Sequence, residues 1–230
     1  MRPVRSHSWE VSPSEAVAIQ RKLLSDLRTD DCLADVQTVA GVDVGLRQGQ
    51  ARAAIVVLRM PDLVPVAEAT AQREVGFPYI PGLLTFREGP VILEALARLS
   101  VEPDVLIFDG QGMAHPRRMG LATHLGILLD RPTIGCAKSR LCGEFEMPGP
   151  DKGEHSWLMD DGEVIGAVVR TRARVSPVFI SIGHRVDLER AIACVLKCCR
   201  VYRLPETTRW AHRVAGGAHT LSQARPSAGT

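Results

Sequence analysis

The chain of 230 residues is 45% hydrophobic and 23% charged, with a net charge of +2 at pH 7. These values exclude a disordered protein and fit one domain of ordinary size. No apolar run approaches the roughly 20 residues that span a bilayer, and no apolar block follows the first basic residues. We therefore expect a soluble, cytoplasmic protein that has no secretory signal and does not bind membranes.

The charge is distributed unevenly along the chain. Residues 170–213 carry ten Lys or Arg and three Asp or Glu, whereas the other residues carry 18 and 23. A basic segment beside a mildly acidic remainder is typical of a protein that binds a phosphate backbone and holds a carboxylate site.

The predicted elements begin with a helix and three strands. Ser12, Pro13 and Glu15 form a capping-box pattern that starts the helix. Apolar and β-branched segments then predict strands over 36–44, 51–60 and 64–75, which short turns connect as an antiparallel meander. A proline-rich turn at 78–82 leads to a helix over 83–99 that restarts at Gly89-Pro90.

The second half of the chain alternates strands and helices. Strands over 104–108 and 132–137 enclose a helix over 117–129, which predicts a parallel βαβ unit. A loop over 141–162 follows, and the remaining elements are strands over 164–169 and 178–182 and helices over 187–201 and 206–214. This order resembles an α/β, ribonuclease H-like fold, in which a mixed sheet (an antiparallel meander plus parallel strands) is flanked by helices. We expect a single domain over 1–214 and a disordered tail over 215–230.

Three carboxylates are candidates for a metal site. Asp43 interrupts an otherwise apolar strand, where a buried carboxylate requires a partner, a metal ion or an open cleft. Asp109 follows the strand over 104–108, at the sheet edge where ligands bind, although Asp before Gly is also common in turns. If these strands are neighbours, the two carboxylates meet and suit Mg²⁺, which prefers oxygen ligands. Glu88 lies on a predicted helix, where glutamates are usually exposed to solvent, so it is a candidate only as a third carboxylate beside Asp43 and Asp109.

Basic and aromatic residues are candidates for substrate contacts. His115, Arg117 and Arg118 stand at the predicted helix start, where amides and guanidiniums bind phosphate; a turn with exposed arginines is the alternative. Lys138 ends the strand over 132–137, where an ammonium neutralises a phosphoryl oxygen. Tyr79, between two prolines, is placed to stack on bases or wedge between them, unless it packs within its loop.

The six cysteines contain no Cys-x-x-Cys pair. Cys194, Cys198 and Cys199 lie in an apolar helical pattern, which predicts buried, reduced thiols. A zinc site formed by Cys194, Cys198 and a distant His is the less favoured alternative, because structural zinc ligands usually come in fours.

A series of short motifs resembles the endonuclease V family, in order, over about residues 11–214. The motifs are Pro78-Tyr79-Ile80-Pro81-Gly82, Phe86-Arg87-Glu88, Asp109-Gly110-x-Gly112, His115-Pro116-Arg117-Arg118, Thr133-Ile134-Gly135 to Lys138, Gly183-His184-Arg185 and Tyr202-Arg203-Leu204-Pro205-Glu206-x-Thr208-Arg209. The resemblance implies a DNA repair endonuclease with a ribonuclease H-like nuclease domain. Such an enzyme recognises deaminated bases, deoxyinosine above all, and hydrolyses the second phosphodiester bond 3′ to the lesion with Mg²⁺ or Mn²⁺.

The same resemblance implies catalytic roles for individual residues. Asp43, Glu88 and Asp109 would be the metal ligands, and Lys138 would position the water or stabilise charge. His212, where family members carry Asp or His, would ligate a second metal ion or shuttle a proton. His115, the remaining catalytic candidate, would contact the phosphate near the scissile bond.

Substrate-binding residues are also implied by the resemblance. Tyr79 would fill the gap left by the extruded base, and many members carry His where this chain has Gln111. The expected substrate-binding residues are Tyr79, Pro78, Ile80, Gly82, Leu84, Gly110, Gly120, Leu141, Arg117 and Arg118. The expected partner is DNA containing deoxyinosine or other deaminated bases, bound by a monomer.

Two other interpretations are open at this stage. The first is an inosine-specific ribonuclease acting on single-stranded RNA, which shares the pocket and metals but contacts a 2′-hydroxyl. The second is a lesion- or mismatch-binding module without activity. The three carboxylates argue against the second interpretation, because binding alone does not require an acidic cluster against a polyanion.

Overall fold

The computed structural model describes residues 1–30, 32–33 and 35–218. The helices are α1 Pro13–Leu23, α2 Leu84–Ala97, α3 Leu121–Leu129, α4 Leu188–Lys197 and α5 Glu206–Ala215, with a 3₁₀ turn at Leu24–Asp26 after α1. The strands are β1 Thr38–Arg47, β2 Gln50–Arg59, β3 Val64–Glu74, β4 Val105–Phe108, β5 Thr133–Ala137, β6 His155–Asp160, β7 Glu163–Val169 and β8 Val178–His184.

The strands form one mixed sheet in the order β3-β2-β1-β4-β5-β8-β7-β6. β1, β2 and β3 pair antiparallel as the predicted meander. β4 lies parallel to β1 and β5 parallel to β4, which confirms the βαβ unit, and β8, β7 and β6 add antiparallel pairs. The predicted mixed α/β class, with helices flanking one sheet, is confirmed.

Local signals fix several of these elements. The predicted capping box of α1 is present, because the Ser12 hydroxyl accepts from the Glu15 amide while the Glu15 side chain accepts from the Ser12 amide. The α5 helix packs directly on β1 at Gly41, where an added Cβ would lie 2.0 Å from the Thr207 carbonyl oxygen. Glycine at this position therefore allows the close approach that brings α5 to the sheet.

Five predicted boundaries are wrong. β6 lies inside the segment predicted as a loop over 141–162; it is a strand because it pairs with β7 and buries Leu158. α3 begins at Leu121 rather than residue 117, and α4 ends at Lys197 rather than residue 201. α2 continues through Pro90 without a restart. Ala215, predicted to start the tail, is buried in α5, and residues 219–230 of that tail lie outside the described residues.

The two faces of the sheet bury separate apolar clusters. One face packs against α4 and α5, and the other against α2 and α3. Alternation along β1 sends Val39 to the first cluster and Val42 to the second, so Asp43 shares the α5 face with Val39. Fully burying one such aliphatic side chain contributes about 1.5–3 kcal/mol, which makes the sheet a stable support for polar groups at its edge.

The predicted buried thiols are present as free cysteines at positions 194, 198 and 199. The zinc alternative finds no support, since no described residues complete a metal-holding group around them. Across residues 1–30, 32–33 and 35–218, every helix is too short or too polar to cross a membrane.

Candidate active site

Asp43 and Asp109 come together at one edge of the sheet, as the sequence predicts. β1 and β4 are parallel neighbours with Val42 opposite Phe108, and each aspartate directly follows one of these two residues. The Asp109 amide donates to the Val42 carbonyl oxygen at 3.0 Å. The side chains of Asp43 and Asp109 are only 12% and 11% exposed, so both carboxylates are largely removed from water.

Each aspartate has a partner with a titratable nitrogen. His212, on α5, donates from Nδ1 to Asp43 Oδ2 at 2.7 Å, while its side chain is 72% exposed. Lys138 directly follows β5 and donates from Nζ to Asp109 Oδ2. Because β5 is the parallel neighbour of β4, the ammonium reaches the same edge as the carboxylates. Two of the predicted catalytic residues thus contact two of the predicted metal ligands.

Glu88 approaches the aspartates from α2, which covers the opposite face of the sheet. The residue is 9% exposed. Burial, followed by the negative charges of Asp43 and Asp109, raises the pKa of Glu88 to about 8, although Arg87 opposes this shift. Burial also raises the pKa of Asp109, while Lys138 counteracts it. Burial is therefore the main reason that Glu88 holds its proton, and the negative charges of the two aspartates add to it.

The donor set fits a hard divalent cation in its chemistry, because three carboxylates supply the oxygen ligands that Mg²⁺ prefers. The raised pKa of Glu88 is the structural observation that favours this fit. Burial and, secondly, the negative charges of Asp43 and Asp109 disfavour its charged form, which a nearby cation would stabilise. In the described part of the chain, however, no group of three or more His, Cys, Asp or Glu side chains is arranged to hold a metal ion. Lys138 and His212 instead engage the two aspartates.

A cavity of about 280 Å³ opens beside Asp109. Lys138 and His115 also line it, whereas Asp43, Glu88 and His212 lie outside. Of the ten expected substrate-binding residues, those that line the cavity are Tyr79, Ile80, Gly82, Leu84, Gly110, Gly120 and Leu141. Pro78, Arg117 and Arg118 do not line it.

The loop that carries Tyr79 is anchored at one carbonyl group. Tyr79 is 68% exposed, and the Arg87 guanidinium lies 5.9 Å from the centre of its ring. The Gly82 carbonyl oxygen accepts from Gln20 at 2.9 Å, His115 at 2.9 Å and Arg117 at 2.8 Å. Gly82 has φ +80°, a backbone conformation that favours glycine. An exposed aromatic ring is thus presented on a fixed loop.

His115 is buried and neutral. Burial lowers its pKa to about 4, and Nδ1 accepts from the amides of Arg117 and Met119. Nε2 therefore carries the proton and donates to Gly82. With both ring nitrogens engaged inside the protein, His115 holds the loop in this structure rather than presenting a free nitrogen to a phosphate.

Arg117 and Arg118 precede α3 instead of forming its first turn, because α3 begins at Leu121. Arg117 donates to Gly82, as described above, and its Nε donates to Gln20. Arg118 pairs with Asp160 at 2.7 Å and with Glu163 at 2.8 Å. The predicted position of these arginines in the first turn of the helix is therefore wrong. Both guanidinium groups have partners within the protein, and their contact with a phosphate stays a prediction.

Gln20 is the residue of this region that sequence reasoning missed. Its fully buried side chain donates to Gly82 and Met119 and accepts from Arg117. A glutamine on an amphipathic helix looks like an ordinary surface residue, so only its long-range contacts reveal that α1 supports the Tyr79 loop.

The family model described as Endonuclease V matches residues 21–213. The chain belongs to the endonuclease V family. Endonuclease V of Methanothrix thermoacetophila is 55% identical over 212 residues, which are 92% of this chain and 94% of that protein. The crystal structure of endonuclease V from Streptomyces avermitilis has a TM-score of 0.88 and 43% identity, and covers 94% of this chain and 97% of that one.

A more distant member has been crystallised with nucleic acid. Ciona intestinalis endonuclease V, in complex with a 24mer DNA containing an inosine followed by a ribo-adenosine, has a TM-score of 0.77 and 27% identity. The match covers 92% of this chain and 98% of that one. The endonuclease V family and its ribonuclease H-like fold are thus confirmed for this chain. Membership also makes it a nuclease, which favours an enzyme over the binding-module interpretation.

Proposed function

We propose that this endonuclease V is a DNA repair enzyme that recognises deoxyinosine and other deaminated bases. It hydrolyses the second phosphodiester bond 3′ to the lesion, acting as a monomer in the cytoplasm. We refer to Asp43, Glu88 and Asp109 as the carboxylate cluster. The observation that carries the proposal is that Asp109, with Lys138 bound to it, also lines the cavity. When a base occupies the cavity, the DNA strand that carries this base lies against the carboxylate cluster.

The lesion is bound as an extruded base. Gly82, Leu84, Gly110, Gly120 and Leu141 line the cavity, and the base enters it while Tyr79, with Pro78 and Ile80 beside it, fills the gap in the stack. A deaminated base pairs weakly and costs less free energy to extrude than a normal base, which contributes to selectivity. The support for this role is the exposed ring on an anchored loop.

Asp43, Glu88 and Asp109 would hold Mg²⁺ or Mn²⁺. Such an ion would supply an activated water and positive charge against the phosphate. Lys138 is 43% exposed, so its ammonium is free to turn from Asp109 towards a phosphoryl oxygen once the carboxylate is otherwise neutralised. His212 is oriented by Asp43 through Nδ1, which leaves Nε2 available to move a proton at the leaving oxygen.

His115, Arg117 and Arg118 act on the substrate through the loops that they fix. The hydrogen bonds of His115 and Arg117 to Gly82 set the position of the wedge. Arg118 secures the turn that follows His115, because it donates both to the His115 carbonyl oxygen and to Asp160.

The experiment that tests this function is a cleavage assay on an end-labelled duplex containing one deoxyinosine. We expect one nick, at the second phosphodiester bond 3′ to the inosine, that requires Mg²⁺ or Mn²⁺ and disappears with EDTA. A matched duplex with adenine at the same position is the control. Cutting of both duplexes at equal rates, or nicking that persists in EDTA, contradicts the proposal.

An inosine-specific ribonuclease is the second candidate. The ribo-adenosine that follows the inosine in the Ciona intestinalis complex is the observation that favours it. A 2′-hydroxyl contact distinguishes the two substrates. Matched single-stranded oligonucleotides, all-deoxy, all-ribo or with a single ribonucleotide after the inosine, decide between them by their relative rates of cleavage.

A further inference from the structure

A groove of about 470 Å³ lies beside the carboxylate cluster and outside the cavity. Gly45 and Arg47 of β1, Gln50 and Arg52 of β2, and other residues line it. The C-terminal end of α5 forms its other wall, since Ala215 and Gly216 also line it. We refer to it as the hairpin groove, because β1 and β2 form a hairpin.

The hairpin groove opens on the same face of the sheet as Asp43. Side chains alternate along a strand, so Asp43, Gly45 and Arg47 share one face of β1. α5 covers this face, because His212 contacts Asp43 and an added Cβ at Gly45 would lie 3.2 Å from the Ala215 carbonyl oxygen. At about 3.4 Å per residue, Gly45 lies about 7 Å and Arg47 about 14 Å from Asp43 along the strand.

Cross-strand pairing extends these positions into two rows of donors. Arg52 lies opposite Gly45 on β1 and opposite Gln72 on β3, and Gln50 lies opposite Arg47. With Gln48 of the turn, the groove is lined by two guanidinium groups and three side-chain amides. All of these are donors that contact phosphate and sugar oxygens in nucleic-acid complexes.

The guanidinium groups of Arg47 and Arg52 are available to bind a ligand. Within the described ranges, neither guanidinium has a hydrogen bond or an ion pair. By contrast, Arg73 on the neighbouring strand pairs with Glu94 at 2.9 Å. Two unpaired guanidinium groups in a groove leave a positive charge that a polyanion neutralises.

Three of the last four carbonyl oxygens of α5 are capped at this end of the groove, since the amides of Gly216, Gly217 and Ala218 donate to His212, Val214 and Arg213, respectively. The Ala215 carbonyl oxygen, which lies beside Gly45, accepts none of these bonds. Capping thereby reduces, but does not remove, the negative end of the helix dipole at this wall of the groove.

We propose that the hairpin groove binds the sugar–phosphate backbone of the nucleic-acid substrate on one side of the scissile bond. The inference rests on the proposed function, because it takes Asp43 as the point at which the strand is cut. Arg47 and Arg52 each neutralise a phosphate, two to four base-pair steps away at roughly 3.4 Å per step. The contacts are independent of sequence and of the lesion.

The test compares two double variants in DNA binding without divalent ions. Arg47→Ala/Arg52→Ala removes the groove charges. Arg28→Ala/Arg59→Ala removes the same net charge and is the matched control, because Arg59 ends β2 at the opposite end from Arg52 and Arg28 lies beside the C-terminal end of β8. Affinity is measured by fluorescence anisotropy on inosine-containing and undamaged duplexes over a series of salt concentrations.

We expect the groove variant to bind both duplexes about tenfold more weakly at moderate salt. The slope of log Kd against log salt falls by about 2, at roughly 0.9 per phosphate contact. The control variant changes affinity less than about twofold, and Arg47→Lys/Arg52→Lys retains most of the slope. Shortening the duplex arm on one side of the inosine removes the defect of the groove variant.

Equal losses in the groove and control variants overturn the inference, and so does a groove defect that persists when either arm is shortened. These outcomes differ from a failure of the proposed function, because that failure would be seen in the unmodified protein. If that protein binds undamaged and inosine-containing DNA equally and does not nick either, the proposed function is wrong. The role of the groove is then still tested by comparing the affinities of the groove and control variants for undamaged DNA.

Discussion

Replacing Glu88 by Gln removes a buried carboxylate while preserving the shape of the side chain. The pKa of Glu88 is about 8 in the folded protein against an ordinary value of 4.5. In the unfolded chain Glu88 therefore loses its proton near pH 4.5, whereas in the folded protein it keeps the proton until about pH 8. Between these values the folded state binds more protons, so the free energy of unfolding falls as the pH rises.

The magnitude follows from the same two values. Each pH unit within this window costs up to about 1.4 kcal/mol of stability, and the difference between the unmodified protein and Glu88→Gln grows by about 4 kcal/mol from pH 5 to pH 9. We thus expect Glu88→Gln to be the more stable protein at pH 9. The gain is an upper value, because water reaching the site reduces the penalty for the charged form.

The assay is urea unfolding monitored by tryptophan fluorescence at pH 5, 7 and 9, in buffer with EDTA. Glu94→Gln is the control on the same helix, since its side chain is 41% exposed and pairs with Arg73. That change is expected to alter stability by less than about 1 kcal/mol at each pH. Parallel pH curves for the unmodified protein and Glu88→Gln would refute the view that burial and the neighbouring aspartates raise the pKa of Glu88 in the folded protein.

Three further predictions concern the site. Asp109→Ala abolishes nicking of an inosine duplex but retains binding in a gel shift, because the carboxylate holds the metal ion and not the base; undiminished nicking contradicts this. Tyr79→Ala lowers the preference for inosine over undamaged DNA about tenfold, at 1–3 kcal/mol per stacked base, whereas Tyr202→Ala leaves the ratio of the two Kd values unchanged. The ring resonances of His115 do not titrate in NMR spectra between pH 8 and pH 5, because its pKa is about 4; a midpoint near 6.5 contradicts its burial as a neutral donor to Gly82.

The sequence predicts the centre of the fold because local signals and topology agree there. β-Branched runs and short turns specify the meander, and two short apolar strands around a helix specify the parallel pairs. From these pairs alone, Asp43 and Asp109 are expected at one sheet edge, and the register of Val42 with Phe108 brings them there.

Features that depend on tertiary contacts are not predictable in the same way. β6 is short and lies among Gly, Pro and Asp residues that indicate a loop, and it is a strand because β7 supplies its pairing partner. α3 begins later than the sequence predicts because Arg117 and Arg118, whose pattern is typical of a helix, instead contact Gly82 and Asp160. Likewise, nothing in the sequence around Gln20 indicates its bond to a loop that is 62 residues away.

The central claim is that Asp43, Glu88 and Asp109 together hold a divalent ion against the strand to be cut. The most direct measurement is the anomalous scattering of Mn²⁺ in a crystal of the protein with an inosine-containing duplex. The account predicts a peak within about 2.5 Å of carboxylate oxygens of Asp43, Glu88 and Asp109, with Lys138 no longer bound to Asp109. Mn²⁺ bound elsewhere, or Lys138 still on Asp109 at saturating Mn²⁺, would contradict it.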